Sequence, residues 1–512
     1  MVIGTLTLLR IAKGAGGPPY GVDASYYYQL ARHVMRGDGL VTSVSLYHEG
    51  WIVPARTAIY PLWPLLLGYS GRFLGLERAA DLLPRIFYVL DLVLLYFLAR
   101  GVALRLGGLR ITDRWYVPDS AHWIVAIFAL APRLFGATTH PYTEGLAFAL
   151  GFASFLTLGR FERTRSWIPA ALSGLFAGLA FLARTQMVGV AIGCFLAMAW
   201  YAWRERGMRR GALAWSAVAL ATVTPWFLFL GFIPGVTPDR LPRATLPKFA
   251  GWTELPTRWD WLAQRAGSLQ VMFDPWNQYS YVQSFGVVAF LVPLAAIVAL
   301  AELVRRRRTF GESGESGDSV GAEPGLPRLL IVAMLLAGLF FFFNLMLYHS
   351  EVWMPWLFGW RHGLPFLFLL MLAVPWLVGR SGRFAGAIAL VLLVSVAVNA
   401  RNVVAFIRSP DPQLTTAETA LVHWLDGRPG KVAVMTTNAQ ILASKSDASF
   451  YWTHCQASGD MTRAMFRAQP IDYVVLYERE MQCPFVREAG KLKLVAGFGE
   501  PGRRVFVLQP LR

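Results

Sequence analysis

Long apolar blocks alternate with short polar stretches through the first four fifths of the chain, and the last fifth has a different texture. Crossing a hydrocarbon core takes about 20 helical residues at about 1.5 Å each. About ten blocks reach or approach that length, and each predicts a helix: 84–104, 121–137, 142–158, 167–183, 187–203, 212–233, 284–304, 329–348, 364–378 and 384–405. Residues 1–12 are apolar apart from Arg10 and about half as long as a span requires, so they read as an incomplete first helix. Residues 60–76 are apolar but broken by Pro61, Pro64 and Arg72. They predict an interfacial helix on the bilayer surface, with an ordinary surface-packed helix the equal alternative.

The loops predict orientation, because Arg and Lys concentrate on the cytoplasmic side of short loops. Every second loop carries them: Arg105, Arg110 and Arg114, then Arg160, Arg163 and Arg165, then Arg204, Arg206, Arg209 and Arg210, then Arg305 to Arg308, then Arg380 and Arg383. This places residues before 84, residues 234–283 and residues after 406 outside. The Gly, Ser and Glu-rich stretch 311–325 reads as a flexible inside linker.

In the tail, residues 431–436 and 471–477 read as buried strands with a helix at 461–468 between them. Residues 492–496 and 504–508 flank a Gly-rich turn and read as a hairpin. The expected organisation is therefore an N-terminal segment with the first outer loop (1–83), a transmembrane helical domain (84–406) and a small extracytoplasmic α/β domain (407–512).

Composition agrees with a polytopic α-helical membrane protein of about 10–11 spans. The 512 residues are 55% hydrophobic and 15% charged, against roughly a quarter charged in soluble domains. The net charge of +17 would suit nucleic acid, but the arginines cluster between apolar blocks, so no nucleic-acid partner is expected. Of the three cysteines, Cys455 and Cys483 both fall in the outer tail, where a disulfide persists. A bond between them and two free thiols are both open. Phosphate-binding glycine loops, HExxH, paired CxxC and Asp-x-Asp are missing. A soluble nucleotide-sugar enzyme is thereby excluded.

Polar residues stand out at the outer helix ends. Asp23, just outside the membrane among Tyr26, Tyr27 and Tyr28, suits a general base or equally a helix N-cap. Glu144, near His140 across Pro141, falls where an ionisable group is expensive unless paired or functional. It reads as a site residue or as part of a structural polar cluster. Arg184 and the Arg361-His362 pair lie on the outer side, against the positive-inside trend. A phosphate would satisfy the guanidinium fork, as would snorkelling to headgroups or pairing with Glu351. Outer-loop tryptophans and tyrosines read mainly as an interfacial belt.

The pattern Asp23-x-x-Tyr26-Tyr27, then Gly37-x-Gly39, then Tyr60-Pro61-Leu62-Trp63-Pro64-Leu65-Leu66, resembles the first outer loop of GT-C superfamily integral-membrane glycosyltransferases. The branch it looks like is that of bacterial relatives of protein O-mannosyltransferases and lipid A aminoarabinose transferases. Arg184 after an apolar helix and Trp360-Arg361-x-x-Leu364-Pro365 resemble further features of that group. The resemblance implies a GT-C-like enzyme of the bacterial cytoplasmic membrane that takes a sugar from a polyprenyl-phosphate donor. The acceptor would be an envelope glycan, lipid or protein outside, with membrane lipid a further partner. It implies Asp23 as general base with Glu144 as a second acid, Arg184 and Arg361 on the donor phosphate, and inversion at the anomeric carbon. Tyr27, His140, His362 and Glu49 are weaker candidates for sugar or acceptor contacts. The aminoarabinose branch carries an acidic residue just before its Pro-rich motif, where this chain has Ala58 and Ile59. A divalent metal is therefore left open, and no cofactor is certain. The competing expectations are a transporter or lipid flippase, for which Asp91 is the main acidic residue within a span, and a ligand-sensing scaffold that uses the tail.

Overall fold

The computed structural model describes residues 2–13, 22–45, 53–57, 60–108, 119–131, 140–231, 285–312, 329–348, 366–380, 385–408, 414–453, 466, 471–483, 486 and 492–511. In chain order the helices are α1 (Val2–Lys13), α2 (Val22–Arg36), α3 (Leu62–Leu74), α4 (Leu76–Leu106), α5 (Ser120–Leu130), α6 (Glu144–Thr164), α7 (Trp167–Ala183), α8 (Val188–Arg204), α9 (Arg209–Gly231), α10 (Leu291–Glu312), α11 (Leu329–Tyr348), α12 (Phe366–Arg380), α13 (Ala385–Arg408), α14 (Thr416–Asp426) and α15 (Ala439–Ala443). The strands are β1 (Val41–Thr42), β2 (Val44–Ser45), β3 (Ala55–Arg56), β4 (Ala433–Thr436), β5 (Ser449–Trp452), β6 (Tyr473–Tyr477), β7 (Leu492–Phe498) and β8 (Val505–Pro510). They fall into two compact units. A helical unit comprises Met1–Ala12, Ile86–Thr138 and Thr143–Ser409, and a sheet-containing unit comprises Lys13–Arg85, Thr139–Tyr142 and Pro410–Arg512.

In the helical unit, apolar residues surround most helices, as expected of elements that meet lipid on one side and neighbours on the other. Among the described residues, Leu76–Leu106, Thr185–Arg204, Arg206–Leu230 and Gly386–Ala405 are long and apolar enough to cross a membrane. α7 packs between α6 and α9, and α8 packs on α11. Close approach needs small residues: a Cβ on Gly174 would lie 2.3 Å from the Trp215 carbonyl oxygen, so α7 and α9 touch backbone to backbone there. Polar groups inside this contact are satisfied locally, the Ser154 hydroxyl donating to the Ser173 carbonyl at 3.0 Å and the Trp215 indole to the Ser173 hydroxyl at 3.2 Å. Arg10, which interrupts the apolar run of α1, is fully buried. Its guanidinium donates to the carbonyls of Ala129 and, at 3.3 Å, Ala131. These are orphan acceptors at the end of α5, where a cation also complements the helix dipole.

The first long helix begins earlier than the sequence pattern suggests. α4 starts at Leu76 and carries Pro84 in its interior; the expected start at Pro84 treated as a boundary a residue that a long packed helix tolerates. The segment expected to lie along the membrane surface forms α3, with Phe73 88% exposed.

In the second unit, both ends of the chain build one sheet. Its order is β2-β5-β4-β6-β8-β7. β5, β4 and β6 run parallel, and β8 and β7 close the edge as an antiparallel hairpin. At the opposite edge β2, from the N-terminal part of the chain, pairs in parallel with β5. The interior is apolar, formed by Val53, Met435, Tyr451, Val474, Leu476 and Leu508 among others. A Thr415–Glu418 capping box starts α14. The helix expected at 461–468 lies outside the described residues except Phe466, which packs against this core. Cys483 is disulfide-bonded and Cys194 is free; Cys455 lies outside the described residues.

Candidate functional site

The polar features belong to two clusters, one in each unit. In the helical unit, α7 ends at Ala183 and Arg184 takes an extended conformation before the short turn into α8. That break directs the guanidinium to the start of α6. Its Nη1 donates to Glu144 Oε1 at 2.9 Å and to the Thr143 hydroxyl at 3.2 Å, and its Nε donates to Gln186 Oε1 at 2.7 Å. Glu144 is fully buried and the Arg184 side chain is 7% exposed. The Thr143 hydroxyl donates to the other Glu144 oxygen at 3.3 Å. Glu144 is the first residue of α6, where backbone N–H groups and the helix dipole favour a carboxylate. The structure thus joins two residues that the sequence singled out separately.

In the second unit, Asp23 sits inside the first turn of α2 and is partly exposed. The following residues turn inward: Ser25, Tyr26, Tyr27, Tyr28 and Gln29 are buried. The Tyr27 ring packs edge-on against Tyr26 at 6.3 Å. Burial, then the charge of Glu77, pushes the Tyr28 phenol up to about 12. Gln29 staples α2 to the strand region, its Nε2 donating to the Thr42 hydroxyl at 3.0 Å while Oε1 accepts from the Ser43 N–H at 3.1 Å. His33 lies between Asp38 (Nδ1 to Oδ2, 2.9 Å) and Ser43 (Nε2 to Oγ, 2.7 Å). This arrangement has the connectivity of a hydrolytic triad. Ser43, however, is 4% exposed and its own N–H is committed to Gln29, which removes the usual oxyanion donor. It therefore works as a structural latch. His140 is half-buried, its ring 6.2 Å from that of Tyr142.

Arg361, His362 and Glu49 lie outside the described residues. No group of three or more His, Cys, Asp or Glu able to hold a metal occurs among the described residues. Nothing in the described site therefore matches a metal centre. Thr143 and Gln186, which flank the buried pair, were missed in the sequence. Their adjacency to Glu144 and Arg184 was the available signal, but Ser, Thr and Gln near helix ends are common caps and say little alone.

No family model matches the chain, and no curated protein matches it. Solved structures do. The chain is similar to the oligosaccharyltransferase of Archaeoglobus fulgidus in complex with Zn and sulfate, at 12% identity and a TM-score of 0.58, covering 100% of this chain and 73% of that one. It is also similar to the same organism's AglB bound to an inhibitory peptide and a dolichol-phosphate, at 11% identity and a TM-score of 0.56, over 99% and 73%. ArnT from Cupriavidus metallidurans in the apo state matches at 12% identity and a TM-score of 0.53, over 99% of this chain and 97% of that one. Along nearly its whole length, then, the chain has the fold shared by this archaeal oligosaccharyltransferase and ArnT.

Proposed function

We propose that the chain is a membrane glycosyltransferase that passes a sugar from a polyprenyl-phosphate-linked donor to an acceptor on the outer face of a bacterial cytoplasmic membrane. The observation that carries this reading is the fold match with ArnT, which spans nearly all of both chains. The dolichol-phosphate named with AglB supports a lipid-phosphate donor.

In the proposed reaction an acceptor hydroxyl oxygen attacks the anomeric carbon as the bond to the phosphate oxygen breaks. The phosphate leaves with the electron pair, the acceptor proton passes to Asp23, and the anomeric centre inverts. Phosphate is a good leaving group, so the demands on the protein are a base on the acceptor and fixed positive charge on the phosphate. We assign the positive charge to Arg184 and, by resemblance, to Arg361. Glu144 holds the Arg184 fork in one orientation, and Asp23 at the start of α2 is exposed enough to take a proton from outside.

The test is sugar release from a synthetic polyprenyl-phosphate sugar by the purified chain in detergent. Release above the no-enzyme rate, lost in Asp23→Asn while the variant still folds, is expected. A fully active Asp23→Asn removes Asp23 from the mechanism, and absence of release in the unaltered chain with every donor sugar tried overturns the reading. One observation favours a second reading: Asp91 in α4 is fully buried and its carboxylate has no hydrogen-bond partner among the described residues. A transporter would use such a group. Asp91→Asn would then abolish lipid or solute movement in vesicles, whereas the transferase reading leaves sugar release dependent on Asp23.

A further inference from the structure

A groove of about 260 Å³ opens between α8 and α9 at their arginine-bearing ends. Ala199, Ala202, Ala212 and Ser216 line it with side chains too short to fill the space, and Met198 is buried against it. Phe195 and Leu213 also line it, 48% and 72% exposed. Both helices belong to segments long and apolar enough to cross a membrane, so acyl chains are the medium the groove meets. Bilayer lipid is as apolar as these walls, so an acyl chain alone would have no reason to prefer the groove. A preference requires a polar anchor.

Arg209 supplies one. It is the charged residue lining the groove. Its Nε donates to the Ala202 carbonyl at 3.2 Å, which fixes the plane of the guanidinium, and Nη1 and Nη2 have no partner among the described residues. Two parallel donors in a fixed plane match two phosphate oxygens. The surroundings are cationic: Arg204, Arg206 and Arg210 are close in sequence, while Glu205 is engaged by Arg165 at 3.0 Å. Arg204 itself stacks over Trp200, 4.2 Å from the ring centre. The site is separate from the Arg184 cluster, which lies before the opposite end of α8. The 17 residues of that helix, at about 1.5 Å each, put about 25 Å between them.

We propose that this groove holds one acyl chain of an anionic glycerophospholipid whose phosphate is gripped by Arg209. Lipid binding in this groove needs neither the sugar donor nor Asp23.

The test is native mass spectrometry of the full chain released from detergent micelles after equal additions of phosphatidylglycerol or phosphatidylcholine with matched acyl chains. Phosphatidylglycerol adducts at least about fivefold more abundant than phosphatidylcholine adducts are expected, the ratio a difference near 1 kcal/mol gives. Arg209→Gln should abolish the preference, and Ala212→Leu should lower total retention by filling the groove. Photoactivatable phosphatidylglycerol should crosslink to peptides of α8 and α9 in the unaltered chain, a measurement that needs no variant. Equal retention of both lipids, full preference in Arg209→Gln, crosslinks confined to other helices, or displacement of the adduct by polyprenyl phosphate in preference to phospholipid would each overturn the proposal.

Discussion

Arg32 and Asp447, from opposite ends of the chain, form an ion pair at 3.3 Å, and Arg36 reaches the same carboxylate oxygen at 2.9 Å. Arg32 also donates to the carbonyls of Ala443 at 2.9 Å and Ser446 at 2.7 Å, at and beyond the end of α15. Partial burial would raise the Asp447 carboxyl, but the Arg36 hydrogen bond and the charges of Arg32, Arg36 and His33 outweigh it and hold the group below the usual carboxylate range. The helix that carries Asp23 is thus fastened to a sheet whose strands come mostly from the last eighty residues or so.

Replacing Arg32 should loosen that attachment. Arg32→Ala leaves buried carbonyls without their donor and is expected to cost about 2–4 kcal/mol. Arg32→Lys should recover only part of this, because a point-like ammonium cannot span several carbonyls as a planar fork does. Asp447→Asn should cost less, its side chain being 61% exposed. Thermal unfolding in detergent reads all three, and a lysine variant as stable as the unaltered chain would count against the fork.

Acid should weaken the same unit through His33. Burial lowers its pKa first, the Asp38 hydrogen bond and charge oppose this, and the charges of Arg32 and Arg36 add to the lowering. With a folded pKa below the unfolded value of about 6.5, the folded state binds fewer protons. Its contribution to stability is then present above about pH 6.5 and is lost as pH falls from there towards the folded pKa. The melting temperature should drop through this window, and His33→Gln should flatten that part of the profile.

The Glu144–Arg184 pair predicts a non-additive pattern. Glu144→Gln or Arg184→Ala alone should destabilise by about 3–5 kcal/mol, since each strands a buried partner. The double variant Glu144→Leu/Arg184→Met should regain much of that loss by packing. Sugar transfer should stay absent in the double variant if Arg184 acts on the phosphate. Recovery of transfer together with stability would make the pair purely structural.

At Gly68 a Cβ would lie 2.6 Å from the Val34 Cβ and 2.7 Å from the Ala31 carbonyl oxygen, so α2 and α3 touch there without room for a side chain. Gly68→Ala should push the helices apart at about 1–3 kcal/mol. Under the transferase reading it should lower turnover beyond what its melting temperature accounts for. Turnover in proportion to folded protein would show that α2 tolerates the shift.

The helical reading of the sequence followed from local pattern: a run of apolar residues with charge at its ends is sufficient to predict α7, found at Trp167–Ala183 as expected, and α11, found at Leu329–Tyr348. The strands β4 and β6 and the closing hairpin were equally legible, because short continuous apolar runs and turn glycines act over a few residues. Asp23, Glu144 and Arg184 were visible as polar residues out of place for a membrane chain. Tertiary structure alone decided their partners. Nothing local tells Arg184 to choose Glu144, Arg10 to close the end of α5, Arg32 to grip the turn after α15, or two residues of β2 to join a sheet made by the other end of the chain. Hydrophobic periodicity is a property of neighbours in sequence, whereas a buried charge selects whichever opposite charge or orphan carbonyl the packed helices bring within hydrogen-bonding distance.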